Sequence, residues 1–202
     1  MTIKKAVFAG SSERLEDRPK VRYPEFAFIG RSNVGKSSLI NCLCNTSELA
    51  HTSSTPGKTQ VVNHFLINDS WYLVDLPGYG YARMGREGRA KLARMIDDFI
   101  QGSGELVLLF VLLDSRHDLQ KVDLDFMLRL GAEGIPFAII YTKGDKSGTR
   151  VLKEQVEKNN QALLEYWEEL PPVFVSSAKS KAGRDEITEY IESVLKTLQP
   201  LQ

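Results

Sequence analysis

The sequence predicts a three-layer α/β domain: a six-stranded, mostly parallel sheet with one antiparallel strand and helices on both faces. Short apolar runs alternate with longer helical stretches along the 202 residues, which is the pattern of a parallel sheet between helices. A turn sequence, Asn68-Asp69-Ser70, links two of these runs directly, so those two strands are expected to form an antiparallel hairpin. The length suits one such domain and is short for two.

The expected strands follow the apolar runs, and the expected helices follow longer stretches, two of which show apolar residues every three to four positions. The strands in order are Phe26–Ile29, Gln60–Ile67, Trp71–Asp75, Leu106–Leu113, Phe137–Tyr141 and Val173–Val175. The helices are Lys36–Cys44, Glu87–Ile100, Leu119–Leu130, Val151–Glu168 and Arg184–Leu198. Residues 1–23 contain a short apolar piece, Ala6–Ala9, and are interpreted as a loose arm or an edge strand, whereas residues 24–202 form the single domain.

Composition is that of an ordinary globular protein and excludes several classes. The chain is 42% hydrophobic, and its 26 basic residues balance its 26 acidic ones, so overall charge does not favour general nucleic-acid binding. The two cysteines, Cys42 and Cys44, face different ways on one predicted helix, which fits a reducing compartment rather than a disulfide. Because neither a signal-peptide pattern nor a membrane-length apolar run occurs, we expect a cytoplasmic protein with no membrane partner.

The strongest motif lies between the first expected strand and the first helix. Residues 30–37 read GRSNVGKS, which matches the G-x-x-x-x-G-K-S pattern of a loop that surrounds phosphate oxygens with backbone N–H groups. The lysine is expected to reach the β- and γ-phosphates, and the serine hydroxyl to bind Mg²⁺. A glycine turn before a chance Lys-Ser is the alternative, and the strand-then-helix setting disfavours it. The expected phosphate-binding residues are Gly30, Arg31, Ser32, Asn33, Val34, Gly35, Lys36, Ser37 and Ser38.

Two further loops are expected to close on the same phosphates. The sequence DLPGYG ends a strand, so Asp75 can enter the Mg²⁺ shell through water and the Gly78 amide can meet the γ-phosphate. In the polar loop TSSTPGKTQ we choose Thr59, rather than Thr52 or Thr55, as the threonine that closes on Mg²⁺. The other nucleotide-binding residues of these loops are Gly57, Lys58, Gln60, Val61, Leu76 and Pro77. The expected metal ligands are Ser37, Thr59 and Asp75, and the expected catalytic residues are Lys36, Thr59, Gly78 and Asn33.

The base is indicated by TKGD, at positions 142–145 after a strand. The Asp145 carboxylate can accept from the N1–H and exocyclic amine of guanine, a donor pair that adenine does not present, and the Lys143 stem can lie over the purine ring. Alone, T-K-x-D could be a helix-capping loop, but behind a phosphate loop it predicts binding of GTP and GDP. After the last strand, VSSAKS offers a backbone N–H for the guanine carbonyl. The expected base-binding residues are Thr142, Lys143, Gly144, Asp145, Val175, Ser176, Ser177 and Ala178.

Taken in order, GRSNVGKS, TPGKTQ, DLPGYGYA, TKGD and SSAK make the chain similar to the EngB subfamily of translation-related GTPases. The resemblance runs from about Pro24 to the last helix, and DLPGYGYA is its most subfamily-specific motif. It implies a Ras-like P-loop GTPase fold, GTP and Mg²⁺ binding, and a role in bacterial large-ribosomal-subunit assembly that is linked to cell division and septation. Gly144 departs from the subfamily, where alanine is more usual.

Hydrolysis is expected to be slow. Directly after the D-x-x-G motif stands Tyr79, where Ras-type GTPases carry the glutamine that orients the attacking water. Stimulation by a partner or by a potassium ion is therefore expected, and Asn33 resembles the potassium ligand of related GTPases with asparagine at that position. Alternatively, Asn33 only tolerates an unusual backbone angle, and the sequence favours neither interpretation.

A basic stretch after the DLPGYG loop is the candidate partner surface. It places five cations within twelve residues, beside one acidic residue, Glu87. A patch that binds ribosomal particles through RNA and an ordinary solvated helix face are both open interpretations. The cations are Arg83, Arg86, Arg89, Lys91 and Arg94. We expect the protein itself to be a monomer.

Other functions stay open besides a GTP-hydrolysing switch in ribosome assembly. A non-catalytic, GTP-dependent binding module would agree with the tyrosine after D-x-x-G. A GTPase serving another process, such as tRNA modification or metal transport, would share the motifs but usually carries a further domain or a membrane segment. TKGD together with SSAK disfavours an ATPase or a nucleoside kinase.

Overall fold

A seven-stranded sheet organises the fold. The computed structural model describes residues 1–50, 61–80 and 84–198. Its strands are β1 (Ala6–Ser12), β2 (Glu25–Gly30), β3 (Val62–Ile67), β4 (Trp71–Asp75), β5 (Leu106–Asp114), β6 (Phe137–Thr142) and β7 (Val173–Val175). Its α-helices are α1 (Lys36–Leu43), α2 (Arg86–Gly102), α3 (Lys121–Ala132), α4 (Thr149–Leu164) and α5 (Arg184–Leu198). The strands lie in the order β1-β3-β4-β2-β5-β6-β7.

The sheet confirms the predicted α/β class, but the predicted count of six strands was one too low. Strand β3 is antiparallel to both of its neighbours, β1 and β4, whereas the other strand pairs are parallel. The expected hairpin is present, with Leu66 opposite Tyr72 and Ile67 opposite Trp71. The additional strand is β1, which contains the apolar piece interpreted as an arm or an edge strand.

Strand β1 joins the sheet through contacts with the hairpin. The side-chain oxygen of Asn68, in the hairpin turn, accepts hydrogen bonds from the N–H groups of Lys4 and Lys5 at 2.9 and 3.1 Å. The rings of Phe8 and Phe65 pack with their centroids 5.9 Å apart. These contacts link segments that are distant along the chain, which is why the N-terminal sequence alone did not decide between a strand and a loose arm.

The core lies on both faces of the sheet. Strand β2 is buried along its whole length, and its alternate residues serve opposite faces. On one face Phe28 packs in a cluster with Ile40 of α1, and α5 covers the same side. On the other face Ile29 packs in a cluster with Ile96 of α2 and Met127 of α3. This packing holds the carboxyl ends of the parallel strands at one edge of the sheet, where ligands bind in open α/β folds.

The element whose end differs most from prediction is α4. It ends at Leu164 rather than at Glu168. Beyond that end the Trp167 ring packs against the Phe137 ring, with centroids 6.1 Å apart. The helical pattern of the sequence continues past Leu164, but the helix does not, and the N–H groups of Tyr166 and Trp167 both donate to the Leu163 carbonyl oxygen.

The helices also bear on two expectations from composition. Within residues 1–50, 61–80 and 84–198, no helix is both long enough and apolar enough to cross a membrane. Cys42 and Cys44 are free thiols. Burial raises the pKa of Cys44 to about 12, so this thiol stays neutral and unreactive at ordinary pH.

Candidate functional site

The phosphate loop connects the end of β2 to the start of α1. Its backbone adopts left-handed dihedrals at Asn33, with φ of 63°, and at Gly35, with φ of 101°. Such dihedrals turn successive N–H groups toward one concave side, and the N-terminus of α1 opens onto that side. Arg31, Ser32, Asn33 and Val34 form the turn itself, while Lys36, Ser37 and Ser38 begin α1.

Lys36 and Asp75 meet in this loop from two different elements. The Lys36 ammonium forms an ion pair with the Asp75 carboxylate at the end of β4, and both side chains are largely buried. Burial lowers the pKa of Lys36 to about 7, because little water surrounds the charged ammonium. A polyphosphate in the loop would offer this ammonium several charged oxygens and release Asp75 from the pair.

The residues present fit a Mg²⁺ ion held together with nucleotide phosphates. Ser37 starts α1 and Asp75 ends β4, so a hydroxyl and a carboxylate come from adjacent elements, and Mg²⁺ prefers oxygen ligands. Over the described ranges of the chain, no group of three or more His, Cys, Asp or Glu side chains is placed to hold a metal. The third expected ligand, Thr59, lies outside the described residues, as do Gly57, Lys58 and Gln60, whereas Val61 directly precedes β3.

The segment after β4 passes very close to the phosphate loop. The Leu76 N–H donates to the carbonyl oxygen of Phe28 at 3.0 Å, and Pro77 leads into Gly78. A Cβ atom at Gly78 would lie 2.9 Å from the carbonyl oxygen of Gly30, a distance that real Cβ atoms do not show. The Gly78 backbone thus lies directly beside the phosphate loop, and only glycine permits so close an approach.

Tyr79 directs its side chain toward α3. Its hydroxyl donates a hydrogen bond to Oδ1 of Asp123 at 2.8 Å, and its ring stacks on Phe126 with centroids 4.7 Å apart. Burial raises the pKa of Tyr79 well above its usual range, and the neighbouring Asp123 carboxylate adds to this rise. The Tyr79 hydroxyl is therefore protonated and engaged as a donor.

The first half of TKGD contacts the phosphate loop. The buried Thr142 hydroxyl donates to the carbonyl oxygen of Val34 at 2.5 Å. The Lys143 ammonium donates to the carbonyl oxygen of Asn33 at 2.7 Å and to Oδ2 of Asp114 at 2.9 Å. These bonds fix the end of β6 against the phosphate loop, so that the phosphate and base regions form one unit.

The second half of TKGD contacts the segment after β7. The Ser177 hydroxyl donates to Oδ1 of Asp145 at 2.7 Å, and the Gly144 N–H donates to the carbonyl oxygen of Ser176 at 2.9 Å. The Ser177 bond lowers the pKa of Asp145, so this carboxylate is ionised at neutral pH. The structure thus brings together the two segments that were expected to hold the base. Val175 ends β7 and Ala178 follows the two serines on the same edge of the sheet.

Comparison with known proteins assigns the family. A family model described as "50S ribosome-binding GTPase" matches residues 25–143. The Probable GTP-binding protein EngB of Porphyromonas gingivalis is 56% identical over 194 residues, which cover 96% of each chain. The protein of the same name from Phocaeicola vulgatus is 53% identical over 98% of this chain and 100% of its own. The chain belongs to the EngB family.

Solved structures agree with this assignment at the level of the fold. The crystal structure of a probable GTP-binding protein engB superposes with a TM-score of 0.67 at 23% identity, over 86% of this chain and 99% of the other. Era in complex with MgGDPNP and a 16S ribosomal RNA fragment superposes with a TM-score of 0.63 at 22% identity, over 85% and 56%. As a member of the EngB family, the protein is a P-loop GTPase that binds GTP and GDP.

Two residues that shape this EngB site were not predicted. Asp114 and Arg116 line a cleft of about 220 Å³ beside the phosphate loop, together with Lys143. Burial alone would raise the pKa of Asp114, but hydrogen bonds from Arg116 and Lys143 outweigh it and hold this pKa well below its usual range. The signal was available: Asp114 ends the apolar run LVLLFVLL, and polar residues at the carboxyl end of a parallel strand face the ligand edge.

A third residue that the sequence did not indicate is Asp123. It lies in the first turn of α3, between apolar residues. An acidic side chain at such a position is typical of the polar face of an amphipathic helix. Its contacts with Tyr79 and Arg31 exist only in the folded chain. No periodicity or motif in the sequence distinguishes it from the other acidic residues of that helix.

Proposed function

We propose that this EngB protein is a GTP-dependent switch that acts, as a monomer in the cytoplasm, on the large ribosomal subunit during its assembly. Normal cell division and septation are proposed to depend on this activity. The observation that carries the proposal is the match of residues 25–143 to a family described as 50S ribosome-binding GTPases. The nucleotide site supports it, because the Gly78 segment, which lies beside the phosphate loop, precedes α2 in the chain, and the position of such a segment can follow the nucleotide state.

The surface that we propose for the ribosomal contact is the solvent face of α2. Its exposed cations are Arg86, Arg89, Lys91 and Arg94. Arg89 donates to the carbonyl oxygen of Met84 at 2.6 Å, and Lys91 pairs with Glu13 at 3.0 Å. Exposed contacts of this kind are weak, so RNA phosphates can replace them at little cost. Arg83, the fifth cation of the stretch, lies outside the described residues.

We expect hydrolysis without a partner to be slow. Asp123 engages the Tyr79 hydroxyl, so the residue at the glutamine position directs no polar group toward an attacking water. Among the described residues, the Lys36 ammonium and backbone amides, including that of Gly78, can stabilise charge on the β–γ bridge. A bound Mg²⁺ ion, held by Ser37 and Asp75, would supply further positive charge.

Potassium is part of the proposal through Asn33. The positive φ of Asn33 shows that its backbone is in the left-handed region, and its carbonyl oxygen accepts from Lys143 at 2.7 Å. Both features belong to the backbone, and the exposed side-chain amide oxygen can bind a cation beside the phosphates. We propose that this oxygen contributes to a potassium site that raises the rate of hydrolysis.

Co-sedimentation with purified ribosomal particles tests the proposed function. The protein should pellet with large subunits in the presence of a non-hydrolysable GTP analogue, and much less with GDP or with small subunits. Binding that is equal in all nucleotide states, or absent from large subunits, would contradict the switch.

The orientation of Tyr79 favours a second candidate, a GTP-dependent binding module whose hydrolysis is incidental. Single-turnover hydrolysis with and without large subunits separates the two candidates. A switch requires the particles to accelerate hydrolysis, whereas an unchanged rate together with GTP-dependent pelleting supports the binding module.

A further inference from the structure

Two loops of the nucleotide site meet on the side chain of Asp123 in α3. Its Oδ1 accepts from the Tyr79 hydroxyl at 2.8 Å, and its Oδ2 pairs with Nε of Arg31 at 3.2 Å. The Asp123 side chain is only 4% exposed, so these two donors replace the water that an ionised carboxylate would otherwise bind. The Tyr79 ring is held further by its stacking on Phe126. We call the set Arg31, Tyr79, Asp123 and Phe126 the Asp123 clamp.

The backbones of the same two loops are joined as well. The Tyr79 N–H donates to the carbonyl oxygen of Gly30 at 3.1 Å, and Arg31 and Tyr79 form a parallel β-bridge. Gly78 directly precedes this bridge and lies within reach of the Gly30 and Ser32 backbones. The position of the Gly78 amide therefore depends on a bridge whose two residues are both held by one buried carboxylate.

We propose that Asp123 is a positioning residue of the GTPase site, which holds Arg31 and Tyr79 so that the Gly78 amide faces the γ-phosphate. In this role Asp123 acts through its contacts with these two residues. The tyrosine after D-x-x-G then has a function of its own, because its hydroxyl fixes the loop instead of orienting water. This inference deepens the proposed switch and rests on it, because it assumes that the Gly78 amide meets the γ-phosphate of bound GTP.

The proposal predicts a defect that depends on the γ-phosphate. Because the Gly78 amide meets only that phosphate, loosening the clamp should weaken binding of a triphosphate and slow hydrolysis while leaving GDP binding unchanged. Asp123→Asn removes the charge that pairs with Arg31, and Tyr79→Phe removes only the hydroxyl. Both changes disrupt the same clamp. The double variant should therefore bind the triphosphate analogue only slightly less tightly than the more impaired single variant does.

The test uses the full chain without ribosomal particles, so that failure of the ribosomal proposal does not affect it. Dissociation constants for GDP and for a non-hydrolysable GTP analogue, together with single-turnover hydrolysis, are measured for the wild type, both single variants and the double variant. Asp125→Asn is the matched control, because Asp125 is an exposed aspartate on the same helix that pairs only with Lys121 among the described residues. Circular dichroism melting establishes that each variant is folded.

The expected result is a loss of about five- to tenfold in analogue affinity and in hydrolysis rate for each single variant, which corresponds to the net contribution of one ordinary hydrogen bond. GDP affinity should stay within about twofold, and Asp125→Asn should match the wild type. The proposal is overturned if the ratio of analogue affinity to GDP affinity is unchanged, or if analogue affinity, GDP affinity and melting temperature all fall together. It is also overturned if the effects of the two single variants on analogue affinity add fully. Tyr79→Phe decides the matter if Asp123→Asn does not fold.

Discussion

The hydroxyl of Ser177 donates a hydrogen bond of 2.7 Å to Oδ1 of Asp145, across 32 positions of the chain. The aspartate follows β6 and the serine follows β7, and these strands are parallel neighbours in the sheet. The serine occupies one carboxylate oxygen and thereby limits the directions in which the other can face. A carboxylate with a fixed direction can distinguish the donor pair of guanine from the edge of adenine.

Replacing Asp145 with asparagine should lower the affinity for GDP and GTP by about a hundredfold or more. The new amide NH₂ would oppose one of the two guanine donors and leave it without an acceptor, while the remaining amide oxygen could still accept from the other. Xanthine carries a carbonyl where guanine carries its amine, so xanthosine diphosphate should bind this variant better than GDP does. Competition against a fluorescent GDP measures both affinities. Ser177→Ala should reduce GDP affinity only a few-fold, and unaltered GDP binding by the asparagine variant would refute the role of Asp145.

Gly78→Ala should reduce GTP hydrolysis by about tenfold to a hundredfold, because one backbone donor to the reacting phosphate is displaced. The added Cβ would meet the Gly30 carbonyl oxygen at 2.9 Å, which forces the two loops apart. Gly85→Ala is the control, because a Cβ there meets nothing within 4 Å. Single-turnover assays compare the two variants, and equal rates for them would show that the approach of Gly78 to the phosphate loop is not needed.

Potassium buffer should support faster GTP hydrolysis than sodium buffer at the same ionic strength. Asn33→Gly separates the two interpretations of this residue, because glycine accepts the left-handed backbone angle without offering a side-chain oxygen. We expect the glycine variant to retain GDP binding and to lose the difference between potassium and sodium. Equal wild-type rates in the two buffers would remove potassium from the proposal.

Charge reversal of two cations on α2 should weaken binding to large ribosomal subunits without altering GTP affinity. Arg86→Glu combined with Arg89→Glu places negative charge toward RNA phosphates, and the salt dependence of binding should become shallower. The matched control reverses Arg150 and Lys153, two exposed cations of α4, and so changes the net charge equally. If both double variants bind alike, α2 is not the contact surface.

Arg18→Met should destabilise the fold by about 3 kcal/mol, because it leaves the buried Glu25 carboxylate without its arginine. The Arg18 side chain is 8% exposed and lies 3.0 Å from Oε2 of Glu105 and 3.6 Å from Oε1 of Glu25. Glu25 begins β2, at the end opposite the phosphate loop, so nucleotide affinity should not change. Urea unfolding measures the loss. Arg14→Met, at an exposed arginine of the same segment, should leave stability nearly unchanged.

Much of the nucleotide site could be predicted because its motifs consist of residues that are adjacent in the chain. The G-x-x-x-x-G-K-S loop has to present consecutive amides, and TKGD has to follow one strand, so each leaves a complete signature in sequence. Asp114 left a weaker signature, since it is a polar residue at the end of an apolar run. Asp123 left none, because its role depends on two loops that reach it from elsewhere in the chain.

By itself the sequence determined the α/β class, the β3–β4 hairpin, the phosphate loop and the guanine-binding motif. Periodicity, turn chemistry and motif spacing are local properties, and they survive in an unfolded chain. Only the tertiary structure decided that β1 forms a seventh strand, that Tyr79 faces Asp123, and that Arg18 is buried between two glutamates. Those arrangements depend on contacts between segments that are distant along the chain. Their hydrogen bonds and ion pairs become strong only when the folded chain excludes water from the polar groups involved.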